Sequence, residues 1–204
     1  MLAMATDFSI YLTSSSYIDS GHPAIRAKAA ELAAGQAGDA AIARRCFDFV
    51  RDDIAHSWDY RDNAHNPVTC RASDVLQHAT GYCYAKSHLL AALLRANGIP
   101  AGLCYQRLAL DDAGNFCLHG LNAVYLQDFG WYRVDPRGNK PGVDSAFVPP
   151  LEQLAFAFRS PGDCDLPEIW PEPLPQVLAS LTQHASVEEV AAHLPDIELF
   201  PVRI

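Results

Sequence analysis

Basic residues are scarce in this 204-residue chain, where 15 Lys and Arg stand against 24 Asp and Glu for a net charge of −9. Binding to a phosphate backbone depends on basic clusters, and no long Lys/Arg run is present. Nucleic acid and anionic membrane surfaces are therefore not expected partners. Long apolar runs are missing too: the longest unbroken aliphatic stretch, Leu89 to Leu94, has six residues, far short of a bilayer span. The first ten residues carry Asp7 and no basic segment, which does not fit a signal peptide. None of the six cysteines (46, 70, 83, 104, 117 and 164) belongs to a Cys-x-x-Cys pair, and a chain of this length needs no disulfide staples. These absences predict free thiols in a reducing cytoplasm. Repeats and low-complexity tracts are also lacking.

What remains is the composition of a globular protein, with 50% apolar and 19% charged residues. The length fits one domain over 1–204. Phe8 to Leu12 reads as a short strand. Pro23 opens an Ala-rich helix closed by Gly35 and Gly38. Asp39 caps a second helix, whose Ile42, Cys46, Phe49, Val50 and Ile54 recur at three- and four-residue steps. Ser57 to Arg71 is a long polar loop, and Ser73 caps a short helix over Asp74 to His78. After Gly81 comes the strongest helix, Cys83 to Asn97, with only a narrow polar stripe near His88 and Arg95; it is expected to be central and buried. His88 itself is read as a surface or packing residue.

Beyond Gly98 and Pro100 the pattern changes to strands over Ala101 to Leu110, Phe116 to Leu126 and Trp131 to Asp135. Helices followed by an antiparallel meander make an α+β fold. The core spans about 39–136. Residues 137–204 form an extension with five prolines (161, 167, 171, 173 and 175) and two short helices, the second announced by the capping box Ser186 and Glu189. This helical tail is expected to wrap the core.

Cys83 differs from the other thiols in position. At the first turn of a buried helix, unpaired N–H groups and the positive end of the dipole favour thiolate and point toward the space where an oxyanion would form. His119 on one strand and Asp135 at the end of the next supply residue types for a base and for the group that orients it. Taken singly, each has a plainer reading: His119 as a strand histidine satisfied in the core, Asp135 as the cap of a Pro-containing turn.

Gly81-Tyr82-Cys83, the helix through Arg95, Asn97-Gly98-Ile99-Pro100-Ala101, His119, and Gly130-Trp131-Tyr132-Arg133-Val134-Asp135-Pro136 resemble the core of the transglutaminase-like superfamily. That group includes transglutaminases, bacterial cysteine proteases or amidases, and peptide N-glycanases. The likeness runs from roughly Asp48 to Pro136. It implies a papain-like fold with Cys83 as nucleophile, His119 as general base and acid, and Asp135 as the residue orienting the imidazole. It also implies a thioester acyl-enzyme formed on a protein or peptide amide, with hydrolysis favoured over transamidation. The chain departs from the family pattern twice: the run His119-Gly120-Leu121-Asn122 lacks the aromatic residue that members often have shortly after the histidine, and Gly102 stands where arginine commonly follows Ile-Pro-Ala. Gly120 either admits a larger acyl group or lets backbone pack closely.

The triad makes a demand on register. A four-residue connection between Leu126 and Trp131 would put Asp135 on the face away from His119. An odd connection such as Gln127 to Phe129, or a bulge at Gly130, puts Asp135 opposite Leu121 on the face of His119. Tyr82, Tyr84, Trp58 and Asn122 are candidate substrate contacts. No cofactor is expected. Cys117-x-His119, with His78, Cys83 and His88 upstream, offers metal-ligand types, but zinc needs three or four convergent ligands and would consume the proposed base. Asp111 to Asn115 lacks EF-hand spacing and reads as a polar hairpin turn. No feature suggests a coenzyme A pocket, as an acetyltransferase with this triad would need. The rival from another class is a catalytically silent module that grips peptides in the same cleft.

Overall fold

Helix boundaries follow the apolar spacing closely. The computed structural model describes residues 7–197. Pro23 at the first position starts α1, Pro23–Ala33. Helix α2, Asp39–Asp53, buries Ala43, Cys46, Phe47 and Val50 along one stripe. Its cap is Gly38, whose φ of 82° turns the chain, and not Asp39. The Asp39 carboxylate instead receives the N–H groups of Ala40 and Gln127, tying the helix to a distant hairpin. Helix α3, Ala72–His78, begins before Ser73, and the cap expected from Ser73 comes from elsewhere: Asp19 Oδ1 accepts the Ser73 N–H at 3.0 Å.

Helix α4, Cys83–Ala96, is buried from Cys83 to Arg95, polar stripe included. Burial of polar groups at this depth requires partners. The Arg95 guanidinium donates to the carbonyls of Ala101, Thr13 and Pro171. His88 sits fully buried with Nδ1 2.8 Å from the Cys70 carbonyl, and burial pushes its pKa down to about 4. It is a packing residue.

Two-residue strands β1, Ala55–His56, and β2, Thr80–Gly81, pair in parallel and set His56 beside Gly81, just before α4. The main sheet then follows, with β3 at Ala101–Ala109, β4 at Phe116–Leu126 and β5 at Gly130–Val134. A small hairpin of β6, Ala146–Val148, and β7, Leu151–Gln153, precedes β8, Cys164–Asp165. Strand order in the antiparallel sheet is β5-β4-β3-β8, so the C-terminal extension adds the fourth strand. Helices α5, Pro175–Thr182, and α6, Val187–Ala192, complete the chain's elements. Ser186 Oγ accepts the Glu189 N–H at 3.2 Å, while the Glu189 carboxylate reaches back one residue further than a capping box, to the Ala185 N–H.

Phe8 to Leu12 is not a strand but a turn of 3-10 helix over Ser9–Tyr11. Its aromatic rings cover the sheet instead of entering it: Phe8 lies 4.2 Å from the Tyr125 ring and Tyr11 4.9 Å from that of Trp131. Among the described residues no helix is long and apolar enough to cross a membrane.

The β4–β5 connection is Gln127 to Phe129, three residues, followed by Gly130 at φ 74°. Asn122 faces Val134 and Leu126 faces Gly130. One step further along this ladder, Asp135 falls opposite Leu121 and on the His119 face.

Candidate active site

The N-terminal end of α4 meets β4 where β5 has stopped. Cys83 is the first residue of α4, so its N–H has no intrahelical partner, and Tyr82 before it makes no side-chain cap. Beyond Val134 the edge of β4 is no longer covered by β5: the Pro195 carbonyl takes the Leu118 N–H at 2.7 Å, and the Cys83 sulfur accepts the Gly120 N–H at 3.5 Å. That approach explains the glycine. A Cβ on residue 120 would lie 2.9 Å from Tyr84 Cδ1 and 3.1 Å from Tyr84 Cα, so the missing side chain makes room for the helix start and not for a bulky acyl group. Gly102 has a similar cause: a Cβ there would meet Ile169 Cγ2 at 2.3 Å and the Trp170 carbonyl at 3.1 Å. The extension occupies the space an arginine would fill.

Gly120 and Asn122 face α4, whereas His119 shares the opposite face with Asp135. Imidazole and sulfur therefore start from opposite faces of β4, and both line one cleft. His119 Nε2 lies 2.7 Å from Asp135 Oδ2, which leaves Nδ1 as the nitrogen available to Cys83. Burial works against a charged ring, but the charge of Asp135, then the nearby Cys83, and the hydrogen bond to Asp135 outweigh it and raise the His119 pKa to about 10. Asp135 is fully buried, which opposes its ionisation. His119 and the N–H groups of Ala155 at 3.0 Å and Arg137 at 3.1 Å nonetheless hold its pKa below the usual carboxylate value. The turn-capping role of Asp135 and its hold on the imidazole coexist, one on each oxygen.

The sulfur opens onto a cleft of about 530 Å³. Leu108, Leu110 and Leu118 form one apolar wall; Phe156, Ala191 and Leu194, all from the extension, form another. The Phe156 ring meets the His119 imidazole edge-on at 4.9 Å and shields it from water. Tyr82, Tyr84 and Trp58 line the cleft. The two tyrosine hydroxyls are already committed, Tyr82 to the Val187 carbonyl and Tyr84 to that of Leu118. Asn122 does not reach the cleft. It is fully buried, and its Nδ2 donates to the carbonyls of Ser87 at 2.9 Å and Gly102 at 3.2 Å, tying α4 to the sheet. Its role is packing, not substrate contact. Cys117 also lines the cleft, but among the described residues no three His, Cys, Asp or Glu side chains converge as a metal site.

Sequence reasoning missed three contributors. His56 lines the cleft because the β1–β2 ladder brings it there. Arg137 lines it as well, held by Asp59 at 2.5 and 3.2 Å. The Ala155–Phe156 segment supplies a backbone donor and a ring. Only Arg137 carried a local signal, lying two residues after Asp135 where an Asx-type bond forms.

The profile of the transglutaminase-like superfamily matches residues 26–136, more than half of the chain. The protein belongs to the transglutaminase-like superfamily. Among solved structures, this superfamily member resembles a candidate cysteine protease from Cytophaga hutchinsonii, with a TM-score of 0.52 and 19% identity over 66% of this chain and 43% of the other. That likeness shows the fold. The periplasmic domain of TgpA from Pseudomonas aeruginosa matches with a TM-score of 0.45 and 25% identity, over 62% of this chain and 45% of the other. The chain thus spans less than half the length of these two structures. No curated protein matches it.

Proposed function

We propose that the protein is a thiol enzyme acting on amide bonds through a thioester, with Cys83, His119 and Asp135 as its triad. The observation that carries this reading is an imidazole held by Asp135 through Nε2, with its other nitrogen free, in the cleft that a helix-start cysteine also lines. In the first half-reaction Cys83 Sγ, as thiolate, attacks the amide carbonyl carbon. The oxyanion collapses, the C–N bond breaks, and the amine leaves with the proton from His119 Nδ1. In the second, water attacks the thioester and gives a proton to His119. The C–S bond then breaks, regenerating thiolate and imidazolium.

Hydrolysis is the favoured outcome because water needs no acceptor subsite, whereas transamidation needs a second amine held beside the sulfur. The apolar walls support a protein or peptide substrate that places aliphatic or aromatic side chains beside its scissile amide. Six free thiols support a reducing compartment, as in the cytoplasm.

The test is mass spectrometry after incubation of the chain with a peptide library, with and without a primary amine. The expected result is cleaved or deamidated peptide that Cys83→Ala abolishes. Amine adducts dominating the products would move the reading to transamidation. Peptides retained but unchanged would favour the catalytically silent module.

A further inference from the structure

Acyl transfer at Cys83 needs two donors for the oxyanion, and the triad supplies neither. The helix start offers one, the Cys83 N–H. We propose that His56 supplies the other, donating from Nε2 to the oxyanion of the tetrahedral intermediate. This rests on the proposed thiol mechanism and adds to it a residue outside the triad.

Three placements carry the inference. Pairing of β1 with β2 fixes His56 beside Gly81, two residues before the nucleophile. The ring stands edge-on against Tyr82, with centroids 5.5 Å apart, which sets its orientation. It lines the cleft together with Cys83 and His119. A hydrogen-bond inventory then identifies the donor. Nδ1 is enclosed and has no partner, so Nε2 alone can meet a group in the cleft, and only with the proton on it can the ring donate there. The proton belongs on Nε2, the nitrogen that is not enclosed. Burial first, and then the positive charge of Arg137, hold the ring neutral; Lys86 and His119 act in the same direction, and only Asp59 opposes them. A neutral ring carries a single N–H, already fixed in place before substrate arrives, which is what an oxyanion donor requires. His56, together with Arg51, Lys86, Arg137 and Lys140, also lines a second hollow of about 320 Å³. Its carboxylates, Asp52 and Asp59, are already engaged by Arg51, Arg137 and Lys140.

Two reactions of the same sulfur separate this role from others. Acylation by p-nitrophenyl acetate passes through an oxyanion; alkylation by iodoacetamide, a displacement of iodide, does not. In the full chain His56→Ala is expected to slow nitrophenolate release roughly 10²–10³-fold, with the rate of Cys83 alkylation unchanged. His56→Gln, which retains an N–H donor, is expected to recover most of the loss. Acylation unaffected in His56→Ala overturns the assignment alone. Equal losses in both reactions, with no recovery in His56→Gln, would also overturn it, since His56 would then act on the sulfur or the fold. A wild-type chain that is alkylated at Cys83 but never acylated would overturn the thiol-enzyme reading itself.

Discussion

Cys83 and His119 sit on α4 and β4, where thirteen consecutive helical residues are buried and the strand pairs with a neighbour along most of its length. Phe156, Ala157 and Leu194 reach the same cleft from the extension, outside any helix or strand. The two regions divide the work. Regular, deeply packed elements hold the groups assigned to bond making. The irregular region adds a backbone donor to Asp135, a ring over His119 and one wall of the cleft. Packing gives precision to the first region; the second adds water exclusion and orientation.

The sharpest way to separate them is to damage one at a time. Asp135→Asn keeps the shape but reverses the hydrogen-bond pattern at His119, and acylation of Cys83 is expected to fall roughly 10³–10⁴-fold. The same variant tests the linkage. A histidine raised to about 10 when folded contributes stability that is fully present below its ordinary value of 6.5 and is lost as pH rises through about 10. Urea titrations of wild type should therefore weaken across that window, and those of Asp135→Asn should be flatter there. An equal slope in both would remove the ion pair from the account.

Gly120→Ala attacks the regular region from the packing side. With Tyr84 backbone 3.1 Å from the new Cβ, a destabilisation of about 1–3 kcal/mol in urea unfolding is expected, larger than the same change at an exposed glycine. Phe156→Ala tests the extension, where acylation should slow about tenfold with the His119–Asp135 pair intact. A loss matching that of Asp135→Asn would erase the division between the regions. Smallest of all, Asp196→Ala breaks a partly exposed ion pair with Arg107 and should cost less than about 1 kcal/mol.

The same division decides what the sequence alone reveals. Helix α4 announces itself through Leu89, Leu90, Leu93 and Leu94, and the β4–β5 register follows from face parity, because one residue of slip would separate His119 from Asp135. Where local chemistry was the signal, boundaries moved: Gly38 and Asp19 took the capping roles expected of Asp39 and Ser73, since a tertiary partner or a positive φ outweighs cap preference. Asn122 has the composition of a polar site residue, yet its bonds to α4 and β3 turn it into an internal tie. His56, Ala155 and Phe156 gave no sequence signal, because two-residue ladders and irregular chain carry no periodicity.

The central claim is that the imidazole, and not exposure, makes one thiol reactive. Burial pushes Cys46, Cys70, Cys104 and Cys117 up to about 12. Accessibility alone ranks the half-buried Cys117 and Cys164 ahead of Cys83, which is 7% exposed. The decisive measurement is iodoacetamide labelling at neutral pH, followed residue by residue with peptide mass mapping in wild type and His119→Ala. The account predicts that Cys83 is labelled first in wild type and loses that lead in the variant. Labelling that begins at Cys164 or Cys117, or a Cys83 lead that survives without His119, would contradict it.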